Sequence, residues 1–179
     1  MIRILAATLL AVVIVLAAGP KFIGWLRQRG IGQNIRELTP ARHNAKEGTP
    51  TMGGVLILGA SLIPFPIFAR ETVPSIVVFI LTFGSGAIGF ADDFLKQRHH
   101  RSLGLNGRTK LLLQAVLVVI AVFIALRWGG IDTRLTVPFV RGSLDIGPLY
   151  YVFAFLLIAG FSNAVNLTDG LDGLAAGTV

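Results

Sequence analysis

Residues 149–173 read LYYVFAFLLIAGFSNAVNLTDGLDG. From Leu149 to Ser162 no side chain carries a charge; then Asn163, Asn166, Asp169 and Asp172 recur at every third position. On a continuous α-helix a step of three residues turns the side chain by about 60°. Neighbouring members of the series therefore share a face, while all four fan over roughly half the circumference. Gly170 and Gly173 offer a break that would let the last two turn inward. Polar groups at the end of a membrane span are costly unless they line water or a ligand. The apolar run reads as a helix crossing a bilayer, and the polar stretch as the floor of a site.

The rest of the chain agrees with a membrane setting. Of its 179 residues 54% are hydrophobic and only 14% charged, with a mean hydropathy of +0.75, a balance that ordinary soluble domains do not show. The net charge of +7 raises nucleic acid as a partner, but the basic residues are gathered in two connections between apolar segments. There they report membrane topology and a capacity for anionic substrates. With no cysteine in the chain, disulfides and thiolate metal sites are excluded.

Five apolar segments can be drawn, at 2–26, 51–69, 73–90, 111–128 and 149–165, each near the length needed to span. The first, with Arg3 ahead of it and Gly19-Pro20 behind its first half, imitates a secretory signal peptide. Phe22, Ile23, Trp25 and Leu26 carry the run on to spanning length, so it reads as a retained span. Gly19-Pro20 and Pro64-x-Pro66 predict kinks. The connections at 27–50 and 96–110 hold Arg27, Arg29, Arg36, Arg42 and Lys46, and Lys96, Arg98, Arg101, Arg108 and Lys110. The positive-inside rule makes both cytoplasmic and the N-terminus external.

This topology carries Lys46, Thr51, Asp92, Asp93, Lys110 and the Asn163 to Asp172 stretch to one membrane face. On the other face, Leu135 to Val140 and Leu144 to Ile146 flank Arg141-Gly142-Ser143 and predict a small external β-hairpin without chemistry, Pro138 confining its strand to an edge. Leu174 onward reads as the start of a sixth span. The expected architecture is an all-α polytopic membrane domain over 1–179, five transmembrane helices and the start of a sixth, with that hairpin.

Asp92-Asp93 ends the third apolar segment, and Lys96 follows at spacings of four and three, within helical reach of both. Paired carboxylates at a membrane surface can share a divalent cation with phosphate oxygens, or one can act as a general base. The plain alternative is a solvated helix end with an ion pair. Gly48-Thr49-Pro50-Thr51-Met52-Gly53-Gly54 leads into the second segment behind His43 and Lys46. Its glycines let a chain pass close to a ligand, and Lys46 can bind phosphate. The same glycines, with Gly59-Ala60, also suit close helix packing. Gly84, Gly86 and Gly89 imitate a dinucleotide loop, but they lie inside an apolar span with no strand before them, which favours packing. His99-His100 lack companion ligands nearby and favour solvent or phosphate over a metal.

Taken together, the approach from His43 to Gly54, the run Gly89-Phe-Ala-Asp-Asp-Phe-Leu-Lys96, and Asn163 to Ala175 resemble the phospho-N-acetylmuramoyl-pentapeptide transferase family, within the wider polyprenyl-phosphate N-acetylhexosamine 1-phosphate transferases. The resemblance covers the whole chain and about the first half of the family's length. It implies a fold of ten spans in the bacterial cytoplasmic membrane, with a periplasmic N-terminus and a cytoplasmic site. It further implies an Mg²⁺-dependent transfer of phospho-N-acetylmuramoyl-pentapeptide from its UDP donor to undecaprenyl phosphate, releasing UMP and forming lipid I for peptidoglycan synthesis.

By that resemblance Asp92 deprotonates or positions the lipid phosphate and Asp93 lies next to the metal. Asn166 and Asp169 line the sugar-diphosphate region, and Lys46, Gly170, Leu171 and Asp172 approach the uridine; Thr51 and Asn163 count among the substrate-binding residues. Lys96 and Lys110 are phosphate partners. A further metal-binding aspartate and a histidine-rich loop are expected beyond Val179, and a homodimer is in keeping with the family. Phosphoryl transfer between two anions needs cations and positioning more than covalent help, which a basic cytoplasmic face provides. Two other readings compete: the same chemistry with UDP-N-acetylglucosamine as donor, and, from a different class, a cation transporter or an inert membrane subunit. A transporter calls for acidic groups at mid-span, whereas these lie at span ends beside lysines.

Overall fold

The computed structural model describes residues 1–29, 52–99, 104–137 and 142–168. The elements run α1 (Ile2–Gln28), α2 (Gly53–Leu62), α3 (Pro64–Phe68), α4 (Val73–His99), α5 (Gly107–Trp128), β1 (Arg134–Thr136), β2 (Ser143–Asp145) and α6 (Leu149–Thr168). Among the described residues four helices are long and apolar enough to cross a membrane, Ile2–Gln28, Val73–Arg98, Gly107–Trp128 and Leu149–Asn166. This is the polytopic helical protein that the composition calls for.

The second apolar segment departs from the expected single span. It forms a shorter helical stretch, Gly53–Phe68, divided at Ile63 into α2 and α3. Pro64 has no N–H to give to the preceding turn and its ring crowds the carbonyl four residues back. Just before the break, Ser61 turns its hydroxyl back onto the carbonyl of Ile57 at 2.9 Å, a bond that competes with the helical ladder. The Pro64-x-Pro66 kink is thus a break between two helices. In α1, by contrast, the helix passes through Pro20 uninterrupted.

The third segment also differs, because its helix outlasts its hydrophobicity. The apolar run stops at Phe90, yet α4 continues to His99, since Asp92, Asp93 and Lys96 form (i, i+3) and (i, i+4) pairs that support helix where the membrane no longer does. Asp92 and Asp93 therefore stand inside a helix. At the other end Thr72 caps α4, its Oγ1 accepting the Ser75 N–H at 3.4 Å.

The chain divides into two compact units, Met1–Glu71 with Gly86–Gly107, and Thr72–Ser85 with Arg108–Val179. In the first, α1 packs against α2 and α3 around the buried side chains of Leu26 and Ala60. Gly86 lets α4 approach α2 so closely that a Cβ there would overlap Cδ1 of Leu58. Ile4, Leu5, Leu9 and Leu16 of α1 stay largely uncovered by protein, as suits side chains that face lipid. In the second unit, α5 buries Gln114, Val118, Ala121, Val122 and Ala125, a stripe along one helical face. Gly84 receives Cδ1 of Leu117 where a Cβ would stand. The packing reading thus holds for Gly84 and Gly86, while Gly89, like Gly53, Gly54 and Gly59, meets nothing.

The hairpin is present. β1 and β2 pair antiparallel with Arg134 opposite Asp145, Leu135 opposite Leu144 and Thr136 opposite Ser143. β1 begins one residue before the stretch that the sequence suggests, and β2 covers Ser143–Asp145 where Leu144 to Ile146 is expected; Pro138 to Arg141 lie outside the described residues. Asp145 ties the far end, accepting from the Thr133 hydroxyl at 2.5 Å and from the Gly147 N–H at 3.0 Å. Those donors, the hydroxyl first, hold its carboxyl below the usual carboxylate range.

Candidate active site

Three of the predicted site residues come together on the C-terminal half of α4, in the first unit. Lys96 Nζ lies 2.6 Å from Asp92 Oδ2 and 3.1 Å from Asp93 Oδ1, so one ammonium bridges both carboxylates. The triplet keeps a single negative charge in excess. The two acids are not equivalent. Asp92 is 8% exposed and has a donor on each oxygen, because the backbone N–H of Leu105 reaches Oδ1 at 2.7 Å. The Asp93 side chain is 40% exposed and lines a cavity of about 280 Å³ between α2 and α4.

That cavity is otherwise apolar. Its walls include Met52, Val55, Leu58 and Phe90, with Gly54 and Gly89 keeping it open. Met52, which caps α2, is the one non-glycine among the described residues with a positive φ, at 69°. A left-handed residue costs about 1–2 kcal/mol unless it is glycine. Met52 is therefore held in a strained conformation at the rim that Asp93 shares, a feature with no signal in residue type or spacing.

The second unit holds Lys110, Asn163 and Asn166. Asn163 donates from Nδ2 to Oε1 of Gln114 at 3.2 Å and to the carbonyl of Ala159 at 2.7 Å. Gln114 in turn donates to the Ser162 hydroxyl at 3.3 Å. Asn163 is thus engaged in the packing of α6 on α5, while Asn166, one turn later, is exposed. Consecutive spans run in opposite directions, so Lys110, one turn before Gln114, lies on the same side of this bridge as Asn166. Gln114 was missed by the sequence reading. Its signal was there: it heads the i, i+4, i+7 stripe whose other members are apolar.

Lys46, Thr51, Asp169, Gly170, Leu171 and Asp172 lie outside the described residues, as do His100 and the start of the sixth span. Among the described residues no three histidines or acids gather as a metal site. Asp93, with Asp92 behind it, supplies hard carboxylate oxygen of the kind Mg²⁺ takes, one or two carboxylates completed by substrate phosphates and water. The donor chemistry fits that ion.

Comparison with known proteins gives the chain a family. Glycosyl transferase family 4 matches residues 75–179, and the phospho-N-acetylmuramoyl-pentapeptide-transferase signature 1 matches residues 46–58. A phospho-N-acetylmuramoyl-pentapeptide-transferase of Desulfitobacterium hafniense is 46% identical over 178 residues, covering 98% of this chain and 53% of that protein. Its counterpart in a Thermoanaerobacter species is 44% identical over 175 residues, covering 98% and 55%. That of Myxococcus xanthus is 44% identical over 189 residues, covering 97% and 48%. The chain spans about half the length of the curated relatives it matches. With most of α4 and all of α5 and α6 inside the matched region, the chain belongs to glycosyl transferase family 4 and carries the signature of its phospho-N-acetylmuramoyl-pentapeptide transferases.

Proposed function

We propose that this chain belongs to an enzyme that transfers phospho-N-acetylmuramoyl-pentapeptide from its UDP donor to undecaprenyl phosphate, giving lipid I and UMP. The observation that carries the reading is the Asp92–Asp93–Lys96 cluster on α4, in a chain 46% identical to a protein named for that activity. The protein would sit in the bacterial cytoplasmic membrane with its N-terminus outside and the cluster at the cytoplasmic face, where the basic connections lie. A lipid nucleophile meets a soluble nucleotide only at such a boundary.

The roles follow from the asymmetry of the two acids. A phosphate monoester, with a second pKa of about 6, is already largely ionised at neutral pH. The acceptor therefore needs orientation and charge compensation more than deprotonation. Asp92, buried and held by two donors, fixes the ammonium of Lys96, which is one-third exposed, so that Lys96 can face a phosphate oxygen. Asp93 is the carboxylate open to the cavity and the better placed metal ligand. Bound Mg²⁺ would supply charge neutralisation at the diphosphate and a template for in-line attack. Lys110 is the phosphate partner, Asn166 and Asp169 serve the donor's sugar-diphosphate, and Lys46 and Asp172 serve its uridine.

The test is Mg²⁺-dependent UMP release by the full-length gene product in detergent, with undecaprenyl phosphate as acceptor. Turnover of UDP-N-acetylmuramoyl-pentapeptide and not of UDP-N-acetylglucosamine supports the reading. Preference for the glucosamine donor keeps the chemistry and changes the product; release from neither returns the transporter and inert-subunit readings.

A further inference from the structure

We propose that the turn at Gly104-Leu105 is a positioning device for Asp92, with Gly104 as the residue that makes it possible. The inference rests on the transferase reading above and adds to it two residues outside the acidic and amide motifs. Leu105 lies 13 positions from Asp92 and donates its backbone N–H to Oδ1 at 2.7 Å. This bond comes from outside α4, so it fixes the carboxylate relative to the connection that leads into α5. Without it, among the described residues, Asp92 would be tethered only by Lys96, which is shared with Asp93, and the carboxylate's terminal torsion is intrinsically broad.

Gly104 comes so near that a Cβ there would overlap both the backbone carbonyl oxygen and Oδ1 of Asp92. The contrast with the other crowded glycines of the spans decides the matter. At Gly84 and Gly86 the obstacle is the far end of a leucine side chain, which can swing aside. At Gly104 the obstacle includes the main chain of α4, which cannot. Any side chain at 104 drives the turn away from the helix, and the Leu105 N–H withdraws with it. Gly107, three residues on, meets nothing within 4 Å and serves as the control.

The experiment uses the full-length gene product and measures UMP release, KM for the muramoyl donor and thermal unfolding. Gly104→Ala is expected to lower kcat about 100-fold, the scale for a reacting group misplaced by about an ångström, with KM and Tm close to wild type. Gly107→Ala is expected to leave all three unchanged. Leu105→Pro, which deletes the donor without adding a side chain at 104, is expected to reproduce the fall in kcat, and it decides the matter if Gly104→Ala does not fold. Retention of kcat in Gly104→Ala, or a loss of Tm and KM in step with kcat, overturns the proposal.

If the wild type itself releases no UMP, the transferase reading is what has failed. The turn is then judged by hydrogen exchange at the Leu105 amide: slow in wild type and fast in Gly104→Ala supports the anchoring of Asp92, and equal rates overturn it.

Discussion

Asn163 and Gln114, 49 positions apart, exchange a side-chain hydrogen bond of 3.2 Å between α6 and α5. Gln114 is 3% exposed and its amide nitrogen is also used, by Ser162, so a polar side chain in an apolar span is satisfied at both ends. The bridge sets the rotation of α6 at the point where its side chains change from apolar to polar. Asn166, one turn beyond the bridge, is exposed.

Replacing Gln114 by leucine should therefore loosen α6 on α5. The expected cost is about 0.5–2 kcal/mol, the range for interhelical hydrogen bonds within membranes, read as a lower midpoint of unfolding in detergent. Gln114→Glu should cost more, because it places a charge at a buried position. An unchanged midpoint in both variants would mean that the bridge contributes nothing.

The glycines of α4 should separate by what faces them. Gly86→Leu forces a large side chain against Leu58 and should destabilise by about 1–3 kcal/mol, as overpacking does. Gly89→Ala meets open space and should stabilise by about 0.5–1 kcal/mol through the helix propensity of alanine over glycine. Equal effects at the two sites would contradict the packing described for Gly86.

Asp145 provides a pH test remote from the site. Its carboxyl is held low first by the Thr133 hydroxyl and next by the Gly147 N–H, so the folded hairpin favours the ionised form. A depressed folded pKa contributes stability that is fully present above the ordinary value of 3.8 and is lost as pH falls through the lower folded value. A carboxyl titration followed by NMR should place Asp145 below 3.8, and Thr133→Val should move it back up. A Thr133→Val titration identical to wild type would exclude the hydroxyl as the main cause.

Much of this fold was legible in the sequence because hydropathy and helical period act locally. The long spans, the hairpin turn at Gly142 and the reach of Lys96 to both acids all follow from spacing. The exceptions have physical causes. The apolar run stops at Phe90 because hydropathy marks where lipid ends, whereas helix persists to His99 on its own ion pairs. The second segment reads as one span because its residues are apolar throughout, although Pro64 divides it. The anchoring of Asp92 by Leu105, and of Asn163 by Gln114, could not be read from spacing, since both bonds join segments that only tertiary packing brings together.

The most direct test of the account is UMP release from UDP-N-acetylmuramoyl-pentapeptide by full-length protein carrying Asp92→Asn, set beside Asp145→Asn. Asp92→Asn should lower turnover by about 10²–10³-fold or more, the scale of losing a preorganised electrostatic group, with thermal unfolding close to wild type. Asp145→Asn, in the hairpin, should leave turnover unchanged. Full turnover with Asp92→Asn, or an equal loss in both variants, would contradict the assignment of the reaction to the acidic pair of α4.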